Sequence, residues 1–72
     1  MATNKQIISI KLALKSLKKR DIKRARIICY SDNIIEDILE FDIEDMLTKN
    51  GTLRRFIIDS IEDYDLINVE PI

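Results

Sequence analysis

The sequence predicts an all-α protein, one small domain over residues 1–72 built as a compact bundle of three to four short helices. Three observations lead there. Apolar residues recur at helical spacing near both ends, at Ile7, Ile10, Leu14 and Leu17 and again at Leu53, Phe56, Ile57, Ile61 and Tyr64. Glycine and proline appear once each, which favours long regular elements over a loop-rich fold. Residues able to cap helices stand where the apolar pattern starts or breaks: Thr3, Asp21, Ser31 to Asn33, and Thr52.

The first helix is expected over residues 4–20. Thr3-Asn4-Lys5-Gln6 fits a capping box, in which the Thr hydroxyl and the Gln amide oxygen satisfy two orphan backbone amides. A rival reading exists for the same segment. Ile8, Ile10, Leu12 and Leu14 alternate with Ser9, Lys11, Ala13 and Lys15, as a half-buried strand would. A strand over residues 7–15 would make the class α+β. The cap and the continuation of the stripe to Leu17 favour the helix.

A second helix is expected over 22–30, N-capped by Asp21, with Ile22, Ala25, Ile28 and Cys29 to one side. No Gly or Pro separates it from the first, so a single helix from 4 to 30, about 40 Å long, is the variant of this reading. Ser31-Asp32-Asn33 reads as a stop and restart. A third helix over 33–48 turns Ile34, Ile35, Ile38, Leu39, Ile43 and Met46 inward, with a kink at Asp42 because Phe41 falls off the stripe. Lys49-Asn50-Gly51-Thr52 closes it: Gly51 suits a left-handed C′ position and Thr52 caps a fourth helix over 53–63. The tail, residues 65–72, alternates like a short edge strand or a docked extended segment, and Pro71 ends either. Short loops would make sequential helices antiparallel neighbours.

Seventy-two residues form one domain at most and bury only about 60% of the unfolded surface. The hydrophobic share of 46% suffices for a core. The formal net charge of −1 conceals a strong segregation. Residues 1–30 carry nine bases and one acid, a balance of +8, whereas residues 31–72 carry three bases and twelve acids, a balance of −9. Such a split between halves points to charged partners or to mutual compensation. On helices, Lys11, Lys15, Lys19 and Lys23 would form one ladder spaced by four, and Asp32, Glu36, Glu40 and Glu44 another. Each ladder repels itself by about 0.2–0.5 kcal/mol per neighbouring pair. Two antiparallel helices carrying them would cancel that strain.

Most reaction classes lack their residues. Histidine is absent and Cys29 is the one cysteine, so zinc sites and Ser–His or Cys–His nucleophiles have no ligands or base to draw on. No glycine-rich loop cradles a phosphate. Asp63 and Asp65 match the first two ligands of a calcium loop, but Ile67 and Asn68 occupy the third-ligand and glycine positions and the twelfth position lies beyond Ile72. Cys29, between Ile28 and Tyr30, reads as a small buried hydrophobe. A lone cysteine forms no internal disulfide, and no apolar run reaches the roughly 20 residues of a membrane helix, so a reducing cytoplasm is the expected setting.

These readings converge on a small, non-enzymatic accessory or regulatory protein without a cofactor, metal or membrane span. It would act by binding a macromolecular partner, a protein before a nucleic acid, and self-association is an added expectation. The candidate surface for an acidic partner or a nucleic acid comprises Lys11, Lys15, Lys18, Lys19, Arg20, Lys23, Arg24 and Arg26. The candidate surface for a basic partner comprises Asp32, Glu36, Glu40 and Glu44.

Overall fold

The structure, a computed structural model, describes residues 3–72. It is α+β, not all-α. The elements run α1 (Asn4–Lys19), β1 (Arg24–Ser31), β2 (Ile34–Asp42), α2 (Ile43–Met46), α3 (Arg55–Ile61) and β3 (Leu66–Pro71). The three strands form one antiparallel sheet in the order β2-β1-β3. The radius of gyration, 11.3 Å, matches the roughly 11 Å expected of a folded chain this long.

Helix α1 forms as its sequence dictates. The Thr3 side chain accepts from the Gln6 amide at 3.1 Å, and Gln6 Oε1 accepts from the Thr3 amide at 2.9 Å. Ile10, Leu14 and Leu17 are buried along its inner stripe. The α+β class therefore does not arise from residues 7–15, which are helical. The helix stops where Asp21 takes φ 60°. The Ile22 amide then donates to the Leu17 carbonyl and the Asp21 amide to the Lys18 carbonyl, both at 3.1 Å. This is a Schellman ending, with Ile22 packed on the core. Asp21 thus ends a helix rather than starting one.

Residues 22–30 and 33–48 are the corrections. Both were expected to be helical, and instead they supply β1 and β2. The deciding feature is the pair Asp32-Asn33, with φ 52° and 65°. Two consecutive left-handed residues make the tight turn whose twist suits a two-residue hairpin, and Asp and Asn tolerate that conformation. The flanking segments are rich in Ile and carry Tyr30 and Phe41, residues that pack well on a pleated surface. Residues 43–46 alone of the expected third helix remain helical. The fourth expected helix shortens to α3, and the tail forms edge strand β3, with Pro71 at its last position.

Alternation explains the layers. Ala25, Ile27 and Cys29 of β1 point to one face and are fully buried there with Leu14, Met46, Ile57 and Ile61. Their register partners Leu39 and Phe41 on β2, and Ile67 and Val69 on β3, pack against the same core. Phe41 meets Phe56 of α3 edge to face at 5.5 Å. Arg24, Arg26, Ile28 and Tyr30 alternate to the other face, which none of the described helices covers. A bulge between Cys29 and Tyr30 inserts Glu36 into β2, so Ile38 pairs with Ile28 and Ile35 with Tyr30, and both reach the open face. The loop between α2 and α3 is closed by a Leu47–Leu53 bridge. Gly51 takes φ 78° there, and a Cβ at this position would stand 2.9 Å from Lys15 Cε. Its left-handed conformation was legible, but it turns a loop and does not cap a long helix.

This arrangement fixes which leucines of α1 matter. Leu14→Ala is expected to lower stability by about 2–5 kcal/mol and Leu12→Ala by no more than about 0.5 kcal/mol. Ile27→Val should cost about 1 kcal/mol. Urea unfolding followed by circular dichroism checks all three, and equal losses for Leu12→Ala and Leu14→Ala would contradict the orientation of the helix.

Candidate functional site

The expected charge surfaces are rearranged by the fold. Lys11, Lys15, Lys18 and Lys19 lie on α1, and Arg20 is its C-cap residue. Lys23 follows in the connection and pairs with Asp21 at 3.0 Å. Arg24 and Arg26 project from the open face of the sheet. The eight bases therefore divide between two sides of the molecule. The four acids divide as well: Asp32 sits in the hairpin turn, Glu36 at the bulge, Glu40 on the open face and Glu44 on α2. Neither ladder of four exists as a ladder, because only residues 4–19 of this region form a continuous helix.

On the open face the two halves of the chain do meet. Arg24 Nε lies 3.0 Å from Asp42 Oδ1, and Arg26 donates to Glu40 Oε2 from Nε at 2.8 Å and from Nη2 at 2.7 Å. These partners face each other across the β1–β2 register. Further along the same face the charges stop. Ile28 is 7% exposed, covered by its neighbours, while Ile38, Ile35 and Leu66 around it are 49%, 52% and 56% exposed. Tyr30 lies between Ile35 and Leu66 in the register.

The outer side of α1 has a different character. No acid occurs between Asn4 and Lys19, and no base of α1 is in an ion pair among the described residues. Lys5, Ile8, Leu12 and Lys19 are separated by 3, 4 and 7 residues, one helical face. Ile8 and Leu12 are 49% and 58% exposed in the midst of that positive charge. Sequence reasoning passed over this pair because the inner stripe satisfied the helical pattern without them. It passed over the open-face cluster because the segment was given the wrong period.

A groove of about 410 Å³ opens where the end of α1 meets the base of the hairpin, lined by Lys18, Ile22, Lys23, Arg24, Asp42 and Glu44 among others. Its charge is mixed, with Arg24 and Asp42 already joined, so it offers no concentrated attraction to an anion. At the other end, Asp65 closes the hairpin: its carboxylate accepts from the Asp32 amide at 3.2 Å and its amide donates to the Tyr30 carbonyl at 2.9 Å. Asp65 thus ties the hairpin turn to the end of β1. Among the described residues no group of three or more His, Cys, Asp or Glu is placed to hold a metal, and no helix is long and apolar enough to cross a membrane.

Cys29 is fully buried. Burial first, and the negative charge of Asp37 second, push its thiol up to about 11. The thiolate, the reactive form, is thereby suppressed at neutral pH. Burial, then Asp37, also raises the Tyr64 hydroxyl, which donates to Asp37 Oδ2 at 3.4 Å.

Comparison of the chain with protein-family models, with curated proteins and with solved structures finds no match in any of the three.

Two expectations follow from these contacts. Cys29 should resist a disulfide-exchange reagent in the native protein at pH 8 and react at once in 6 M guanidinium; rapid native reaction would contradict its burial. Its raised pKa also has a stability consequence. The folded state keeps the proton that the unfolded state releases near 9, so the contribution is full below pH 9 and is lost as pH rises to about 11. The loss is of the order of 2–3 kcal/mol. Urea titrations at pH 8, 9, 10 and 11 should show this fall in the natural chain and a shallower one in Cys29→Ala.

Proposed function

We propose that this chain is a small, non-enzymatic accessory or regulatory protein that binds an acidic protein surface through the outer side of α1. The observation that carries the reading is the exposure of Ile8 and Leu12 between Lys5 and Lys19 on an acid-free helix. Lysines alone would suit any polyanion. Two apolar side chains among them suit a partner that offers both carboxylates and hydrophobic contact, as an acidic amphipathic helix does. The lysines would speed encounter and set orientation, and the apolar pair would slow dissociation. The lack of histidine, together with a buried cysteine held as the thiol, supports a role without catalysis. A cytoplasmic setting is part of the same proposal, resting on cysteine usage.

A second reading follows from the lysines by themselves. Lys5, Lys11, Lys15, Lys18 and Lys19 are free of ion pairs among the described residues and could neutralise phosphates of a nucleic acid. The strand arginines expected to join them are already paired with Glu40 and Asp42, which weakens this reading relative to the first. No aromatic side chain lies on α1 for base stacking.

The two readings separate on which residues binding requires. Fluorescence anisotropy should detect binding of an acidic amphipathic peptide of alternating Glu and Leu turns at 20 mM salt. Lys5→Glu with Lys19→Glu should weaken it at least about tenfold, and Ile8→Ser with Leu12→Ser by a comparable factor. Binding to a mixed-sequence DNA duplex or single-stranded RNA that outcompetes the peptide, ignores the Ile8 and Leu12 changes and falls linearly with salt on logarithmic axes would establish the second reading instead.

A further inference from the structure

The face of the sheet turned away from the helices is uncovered, and it is not uniform. Taking the rows of the register in order, Asp42 and Arg24 come first, then Glu40, Arg26 and Glu70. The next row is Ile38, Ile28 and Asn68, and the last is Ile35, Tyr30 and Leu66. One end of the face is a charged ladder and the other an apolar patch. Ile35, Ile38 and Leu66, each about half exposed, make up three of the eight large hydrophobic side chains that the described residues leave in water. The bulge in β2 serves this patch directly. Three residues apart, Ile35 and Ile38 would point to opposite faces of a regular strand; absorbing Glu36 in the bulge brings both to the same face.

We propose that this face is where two copies of the chain meet, sheet against sheet, about a two-fold axis. Charge selects a second copy as the occupant. Two bases, Arg24 and Arg26, stand against three acids, Asp42, Glu40 and Glu70, so the face carries a net −1, and both arginines are already paired within the chain. A strongly charged partner would find nothing here left to neutralise. A second identical face brings equal apolar character and almost no repulsion. Two other surfaces disfavour self-pairing: the outer side of α1 would oppose lysines to lysines, and the edge strand β2 carries Glu36, Asp37, Glu40 and Asp42 and no base of its own.

A two-fold axis lying in the plane of the sheets and across the strands suits the patch. It lays the row Ile38–Ile28–Asn68 of one copy over the row Ile35–Tyr30–Leu66 of the other, with sheets about 10 Å apart. The charged ladders then fall at the two rims, in water. Three strands about 4.8 Å apart and six paired rows about 3.3 Å apart give a face roughly 14 by 20 Å. The two apolar rows, about half of that face, are what the axis buries, less than a standard specific interface, so weak dimerisation, toward the upper end of the micromolar range, is the expectation. This surface and the outer side of α1 lie on opposite sides of the sheet, and a dimer would present two copies of α1 outward.

Sedimentation velocity from 5 to 500 µM tests the proposal. The natural chain should pass from its monomer mass of 8.4 kDa to twice that mass, and 0.5 M salt should leave the dimer intact. Ile38→Lys and, separately, Leu66→Lys should remain monomeric at the highest concentration with unchanged circular dichroism, since both sites are solvent-exposed in the single chain. Lys5→Glu with Lys19→Glu should dimerise like the natural chain. A natural chain that stays at 8.4 kDa at 500 µM overturns the proposal, as does a dimer that survives both open-face variants, dissolves in salt or depends on the α1 lysines.

Discussion

Strand β1 is the constraint on which the rest depends. It is the middle strand, so both its edges must be hydrogen-bonded, and Ala25, Ile27 and Cys29 leave no space beneath it. One edge is satisfied by the chain turning back at once through Asp32-Asn33. The other is satisfied only after α2, α3 and their loops have brought β3 round, so the C-terminal strand closes the fold. Asp65 fastens that closure by bonding both to the hairpin turn and to the end of β1. The helices follow from the same seam. They are the cover for the face that Ala25, Ile27 and Cys29 define, and among the described residues no second layer lies over the opposite face.

The charge segregation of the sequence has two physical outcomes. Where basic β1 lies beside acidic β2, opposite charges meet across the register and leave a nearly neutral surface. Such exposed pairs add only about 0.2–1 kcal/mol each, so their main effect is on register and on which partners the face admits. Where the bases lie on α1, no acid is brought to them and the charge remains available. The same sequence asymmetry therefore produces one self-compensated surface and one that is not, placed on opposite sides of a three-stranded sheet. Under the two proposals above, one of these faces engages a second copy and the other a partner.

What could be read from the sequence was local. Helix α1 was legible from its capping box and its stripe, because both signals lie within a few residues of one another. Gly51 was legible as left-handed, and the tail as either an edge strand or a docked extended segment, ended in both cases by Pro71. The hairpin was not, since Ser31-Asp32-Asn33 is equally a set of helix caps and only the left-handed pair Asp32-Asn33 distinguishes the two. Ile22, Ala25 and Ile28 fit a helical stripe, while Ala25, Ile27 and Cys29 fit a strand, and short apolar runs carry both periods at once. The bulge at Glu36 hid β2 further by breaking the alternation of Ile35 and Ile38. The second partner of β1 is β3, some forty residues downstream, which no local pattern conveys. The candidate sites suffered in consequence: lysines and arginines that are neighbours in sequence were sorted onto different faces by the change of element at Asp21.

The central claim is that residues 24–31 form a strand held between β2 and β3. Nuclear Overhauser contacts in the folded protein test it most directly. The account predicts extended-backbone shifts over 24–31 and 34–42, with cross-strand contacts placing Arg26 opposite Glu40 and Ile27 opposite Val69. Helical shifts through 22–30 and 33–48, with sequential amide contacts and none between strands, would contradict it.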